Sequence, residues 1–205
     1  MKKNTNQRTL KLIPTKQNQA KGEVRIIAGL WRGRKLPVLN SQGLRPTGDR
    51  VKETLFNWLM PYIVDSVCLD GFAGSGALGF EALSRQAKHV TFLELEKSVA
   101  TQLKQNLQTL KCAKESAEVI NQNSLSYLSQ KPAQPQFDLV FLDPPFHFDL
   151  AEQAIALLDK NQWLKTKALV YVETELAKTI SAPAHWHLLK EKNTGLVSYR
   201  LYQVN

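Results

Sequence analysis

From Ser66 to Glu173 the chain alternates five short apolar runs with longer amphipathic stretches, and this alternation restricts its fold more than any other feature. The runs are SVCLD (66–70), HVTFLE (89–94), AEVIN (117–121), FDLVFLD (137–143) and ALVYVE (168–173). Helical periodicity fills the gaps at about 76–85, 96–111, a short 124–130 and 149–160. Strands this apolar are buried on both faces. Joined by helices, they form βαβ units with right-handed crossovers and a parallel sheet covered on both sides. After Val172 the alternation stops: HWHLLKE (185–191) and GLVSYRLYQV (195–204) flank Lys192-Asn193-Thr194-Gly195, which reads as a hairpin turn. The expected fold class is therefore α/β and Rossmann-like, a mostly parallel seven-stranded sheet ending in an antiparallel hairpin. No internal repeat is visible.

Upstream, three segments precede the sheet. Residues 1–22 carry six Lys or Arg and no acid, and read as a flexible basic arm. VRIIAG and RKLPVL, separated by LWRG, read as a β-hairpin, Gly43 to Thr47 as loop, and DRVKETLFNWLM as a helix. Thr47 or Asp49 would cap that helix, with Val51, Leu55, Trp58 and Leu59 on one face. The expected division is an arm at 1–22, a nucleic-acid-binding hairpin and helix at 23–62, and a catalytic domain at 63–205.

Charge follows the same division. Residues 1–52 hold 13 Lys and Arg against Glu23 and Asp49, whereas the other 153 hold 14 against 16 acids. A basic excess confined to one quarter of the chain is the footprint expected of a phosphate-rich partner. A chain of 205 residues needs no disulfide or metal to hold a core. Cys68 and Cys112 have no metal or redox spacing, and Cys68 reads as core. His185 and His187 flank Trp186 without further ligands, and His147 reads as loop. With no signal stretch and no run of about 20 apolar residues, a cytoplasmic, metal-free monomer away from the membrane is expected.

The first run of the sheet ends in Asp70-Gly71-Phe72-Ala73-Gly74-Ser75-Gly76 and leads straight into a helix. Glycines let the backbone turn tightly and let a ligand approach the main chain, and the helix start adds free N–H groups. Glu94 ends the next run, 18 positions after Gly76, where an acid accepts from ribose hydroxyls. Glu96 reads as a capping acid. Loop and acid together indicate an adenosine-containing cofactor, with nicotinamide dinucleotides still open.

Asp143-Pro144-Pro145-Phe146, at the end of the fourth run, narrows the choice. Two prolines remove two N–H donors and stiffen an extended tip. What remains is rich in acceptors: one carboxylate, exposed carbonyls and an aromatic ring. A hydride-transfer enzyme has no evident use for it, whereas a methyltransferase acting on a planar amine does. Asp143 and the Pro144 carbonyl accept from an exocyclic NH2 while Phe146 stacks on the base.

These blocks, DGFAGSGALGFEALSR, FLELEKS and VFLDPPF, preceded by RIIAGLWRGRKLPV and LRPTGDRVKETLFNWL, resemble the RsmD family of bacterial 16S rRNA guanine-N2 methyltransferases from Val24 to Val204. The resemblance implies a class I fold with S-adenosylmethionine held by Asp70, Gly74, Gly76 and Glu94. Gly71, Phe72, Leu95, Asn123, Ser124 and Asp143 complete the expected cofactor pocket. Asn123 stands where the family usually has an acid facing adenine, and Phe146 where Tyr is common. Asp143, Pro144, Pro145 and Phe146 are the expected catalytic tip.

The tip alone does not separate adenine-N6 from guanine-N2. Only about 50 residues lie outside the catalytic sheet, too few for the recognition domain usual in sequence-specific DNA enzymes. Their basic character, with Trp31 among arginines, suits an RNA or ribonucleoprotein surface recognised by shape. Arg25, Arg32, Arg34, Lys35, Arg45 and Arg50 are the expected phosphate contacts. The resemblance narrows the target to a guanine of 16S rRNA in the small ribosomal subunit. An adenine-N6 methyltransferase and a non-catalytic RNA-binding assembly factor remain the alternatives.

Overall fold

The computed structural model describes residues 21–39, 48–134, 136–146 and 149–205; Arg45, Thr47, His147 and residues 1–20 of the expected arm lie outside them, while Lys21 and Gly22, expected to end the arm, belong to the first strand. Strands β1 (Lys21–Arg25) and β2 (Lys35–Leu39) pair antiparallel. Their alternation sends Val24, Leu36 and Val38 into the core and leaves Arg25 and Lys35 exposed. Helix α1 (Asp49–Leu59) follows.

The sheet begins with β3 (Val67–Asp70), α2 (Ala77–Ser84), β4 (His89–Glu94), α3 (Lys97–Thr109) and β5 (Ala117–Asn121). It continues through α4 (Ser124–Leu128), β6 (Phe137–Leu142), α5 (Leu150–Lys160), β7 (Leu164–Glu175), β8 (Trp186–Thr194) and β9 (Val197–Val204). Its strand order is β5-β4-β3-β6-β7-β9-β8, with β9 antiparallel to both neighbours. The chain winds outward from β3 in one direction and from β6 in the other. The carboxyl ends of these two strands therefore frame the crevice where open α/β sheets bind ligands.

Each face of the sheet carries its own core. Hairpin, α1, α2 and α3 pack on one side through residues such as Leu36, Phe56, Phe80 and Leu103. Helices α4 and α5 and the buried Trp163 and Trp186 cover the other. The first core is continuous from the hairpin into the sheet.

Polar groups fix that docking. The fully buried Glu81 carboxylate accepts from the N–H groups of Ile27 (2.8 Å) and Ala28 (3.1 Å) and pairs with Arg85 at 2.7 Å. Leu30 donates to the Ser84 carbonyl at 2.7 Å. Gly29 permits this approach: a Cβ there would lie 1.8 Å from the Ser84 carbonyl oxygen, and its φ of +81° suits glycine.

The folded chain departs from the expectations at several places. Gly48, not Asp49, is the N-cap of α1, with no side-chain cap bond. Asp49 instead pairs with Arg25 at 2.9 Å and with Lys52 at 3.3 Å. Lys52 is buried and donates to the Arg25 carbonyl at 2.6 Å. Strand β7 starts at Leu164, four residues before the apolar run, because Leu164 already pairs with Phe137 of β6, ahead of a register shift. Strand β8 runs through Thr194, so the hairpin turn falls at Gly195 and Leu196. Trp31 is only partly exposed and packs against the core. His185 pairs with Asp159 at 2.9 Å and His187 meets Asn205 at 2.6 Å. Among the described residues no group of His, Cys, Asp and Glu could hold a metal ion, and no helix is long and apolar enough to cross a membrane.

Candidate active site

The loop after β3 is pinned on three sides. Gly71 donates to the Phe141 carbonyl at 2.9 Å, Ala73 to the Leu93 carbonyl at 3.0 Å, and Ser124 Oγ donates to the Gly71 carbonyl. These bonds fasten the loop to β6, β4 and the start of α4. Gly76, with φ +74°, turns the chain into α2, and a Cβ there would meet Phe80 at 2.4 Å. That left-handed cap strains any residue with a side chain.

Glu94 stands opposite. Its Oε2 accepts from the Gly74 N–H at 2.9 Å and its Oε1 from the Glu96 N–H at 2.7 Å. The acid expected to meet ribose hydroxyls is thus held in place by the loop, and each oxygen keeps a lone pair for a ligand. Glu96 is the N-cap of α3 but makes no side-chain cap bond. Asn123 caps α4, its Oδ1 accepting from Ser126 N–H at 3.0 Å, so one acceptor site expected to face an adenine amine is already committed.

Asp70 is buried beneath the loop and accepts from the Gly79 N–H at 3.0 Å. Burial, then the charges of Asp143 and Glu94, outweigh that bond and push its carboxyl up to about 7. Between about pH 4 and pH 7 the folded chain therefore holds a proton that the unfolded chain has released. Stability falls as pH rises through this window, by about 4 kcal/mol for this group. Urea midpoints of the cofactor-free protein at pH 5 and pH 8 should differ less for Asp70→Asn than for the parent. An unchanged difference would mean that Asp70 titrates as an ordinary carboxyl.

One cavity of about 1010 Å³ joins these parts. Phe72, Gly74, Glu94, Leu95, Asn123 and Ser124 line one half. Asp143, Pro144, Pro145 and Phe146, at the end of β6, line the other. Gly71 and Gly76 shape the loop without lining the cavity. Asp143 is half-buried, Pro144 buried and Pro145 exposed, while the Phe146 ring stands 36% exposed at the rim. The volume suits a nucleoside-sized ligand with room for a second planar group.

Three elements reach the cavity from outside the motifs. Arg50 and Val51 at the start of α1, Thr194, Gly195 and Val197 at the β8–β9 turn, and Glu173 on β7 all line it. Glu173 and Arg50 carry no local signal for this placement, since strand pairing and helix docking bring them in. Arg50, expected on phosphate, thus lies at the pocket mouth.

The other expected phosphate contacts separate into two kinds. Arg25 pairs with Asp49, Arg34 donates to the Thr109 carbonyl at 3.0 Å, and Lys35 pairs with Glu23 at 3.1 Å. Arg32 is exposed, and its guanidinium pairs with no acid among the described residues.

A family profile described as "Conserved hypothetical protein 95" matches residues 24–203. A ribosomal RNA small subunit methyltransferase D of Haemophilus influenzae is 78% identical over 184 residues, covering 90% of this chain and 95% of that protein. The chain belongs to the ribosomal RNA small subunit methyltransferase D (RsmD) family. A solved Escherichia coli structure, described as a methyltransferase, superposes with a TM-score of 0.83 at 53% identity, covering 90% of this chain and 99% of that one. A structure described as a SAM-dependent methyltransferase from Streptococcus mutans shares the fold at 14% identity, with a TM-score of 0.65 over 84% of this chain and 54% of that one.

Proposed function

We propose that this RsmD-family chain is a small-subunit rRNA methyltransferase that acts on the exocyclic N2 of one guanine, in the cytoplasm, on the assembled particle. The observation that carries this reading is a single cavity shared by the loop–Glu94 half and the Asp-Pro-Pro-Phe tip. S-adenosylmethionine fits the first half. The pinned backbone of Gly71 to Gly76 leaves space beside Phe72, Glu94 accepts from ribose hydroxyls, and Asp70 faces the cationic end.

S-adenosylmethionine, when bound, supplies an electrophilic methyl group. The remaining work falls to the chain. The lone pair of a purine amine is delocalised into the ring, so the amine is a weak nucleophile. Asp143 and the Pro144 carbonyl accept its two N–H bonds, favour a more pyramidal nitrogen and stabilise the positive charge that grows there. Phe146 stacks on the base and fixes the angle of approach. Alkylation acidifies the nitrogen, so Asp143 takes the released proton without a raised basicity. Arg32 and Arg50 hold RNA phosphates outside the pocket.

The test uses labelled S-adenosylmethionine and small subunits from cells lacking the activity, followed by nucleoside identification. N2-methylguanosine is expected; N6-methyladenosine or no label would overturn the reading. In the same assay, replacing Arg32 and Arg50 by Ala should flatten the dependence of log affinity on log salt by about 1 to 2. An unchanged slope would remove both from the RNA contact.

A further inference from the structure

The turn between β8 and β9 presents a bare apolar side chain at the mouth of the cavity. Leu196 is 82% exposed, while the residues on either side of it, Gly195 and Val197, line the cavity. Its backbone is anchored: the Leu196 carbonyl accepts from the Leu176 N–H, just past the end of β7, at 2.7 Å. Gly195 turns the chain with φ +59°, and a Cβ there would meet open space. A single exposed leucine is ordinary on a protein surface. This one is held in place by its backbone, flanked by cavity-lining residues, and shares that cavity's rim with the Phe146 ring.

The hairpin behind it carries charge of one sign on one face. Strand β8 is the outermost strand of the sheet, and Lys190, Lys192 and Thr194 alternate along it, all exposed. Their partners on β9 are Leu201, Tyr199 and Val197. Leu201 and Tyr199 belong to the core beneath the N-terminal hairpin and α1, so both lysines stand on that face of the sheet. Helix α1 adjoins them there, with the Trp58 ring 5.7 Å from that of Tyr199. Neither ammonium pairs with an acid among the described residues, whereas Glu191, between them, turns to the other face and holds Arg200 at 2.7 Å.

A base stacked in its own strand cannot bring its amine to Asp143, which is half-buried inside the cavity. It must turn out of the stack, and the gap it leaves favours its return. Proteins that hold nucleic acid open fill such gaps with an apolar wedge and grip the flanking phosphates with cations. We infer that the β8–β9 hairpin is a second rRNA contact: Leu196 enters the stack that the target base leaves, and Lys190 and Lys192 hold phosphates of the flanking strand. This inference rests on the rRNA reading above and adds to it the element that keeps the base extruded.

Leu196→Ala removes the wedge at an exposed position and should leave Tm unchanged. With small subunits and saturating S-adenosylmethionine, its kcat should fall at least about tenfold while KM moves by less than about threefold, because docking precedes extrusion. Leu196→Met should keep most of the activity. A direct readout uses particles with 2-aminopurine at a nucleotide adjoining the target, bound with S-adenosylhomocysteine so that no turnover occurs. The parent should brighten the probe as its neighbouring base leaves the stack, and at saturation Leu196→Ala should give less than about half that rise. Replacing Lys190 and Lys192 by Ala should flatten the dependence of log affinity on log salt by about 1 to 2.

A parent-like kcat for Leu196→Ala would overturn the inference. So would a lowered kcat with the full fluorescence rise, which would place the leucine outside the stack. An unchanged salt slope would also overturn it, leaving the lysines as guards of an edge strand. In each case labelled rRNA from the parent would leave the proposed function standing. No label in rRNA from the parent would remove both.

Discussion

Asp143→Ala is expected to lower methyl transfer by about 10² to 10³-fold, the range typical of removing one charge-stabilising group from a reacting centre. Cofactor affinity should change by less than about tenfold, because the bonds that shape the half proposed to hold the cofactor run through Gly71, Gly74 and Glu94. The substitution also removes one of the charges that raise the Asp70 carboxyl. Asp70 should then ionise at lower pH, which gives a second readout independent of turnover. Asp143→Asn keeps an acceptor oxygen and should retain more activity than the Ala variant. Single-turnover rates with saturating cofactor separate the outcomes. A parent-like rate for Asp143→Ala would reduce the Asp-Pro-Pro-Phe tip to a strand terminator.

Glu81→Ala should be the most damaging change outside the pocket. The side chain is fully buried, and its loss strips an acceptor from the N–H groups of Ile27 and Ala28 and a partner from Arg85. Removing one side of a buried charge pair costs about 3 to 5 kcal/mol. For a chain of this size that corresponds to a fall in Tm of roughly 6 to 20 °C. Weakened RNA binding should accompany it, because the released segment leads directly to Arg32. Calorimetry and RNA titration of one preparation test both effects. A loss below about 1 kcal/mol would show that apolar contacts alone dock the hairpin.

Glu81 also illustrates where sequence reading stops. In GFEALSR it looks like an ordinary helical acid, and its i,i+4 neighbour Arg85 suggests a surface pair. The groups that bury it come from residues more than 50 positions earlier, which no local pattern reports. Lys52 was hidden in the same way, because its acceptor is the Arg25 carbonyl across the hairpin–helix junction. Helix α1 could be anticipated from its periodicity, but its cap could not: the chain enters through Gly48 in extended backbone, and Asp49 is drawn to Arg25. The loop–Glu94 half of the pocket was legible as a shape because a tight turn, a helix start and a strand-ending acid are each local features with a fixed spacing.

The order of strands and helices, the glycine loop with Glu94 and the Asp-Pro-Pro-Phe tip can be read from the chain alone, because backbone stiffness, periodicity and turn chemistry act over a few residues. Which of these share a cavity, and what else joins them, depends on how the chain packs. Parallel pairing set Glu173 level with Asp143. Helix docking brought Arg50 to the pocket mouth, and the β8–β9 turn closed its far wall. Those placements depend on strand register and on buried contacts between distant residues, which are properties of the packed chain.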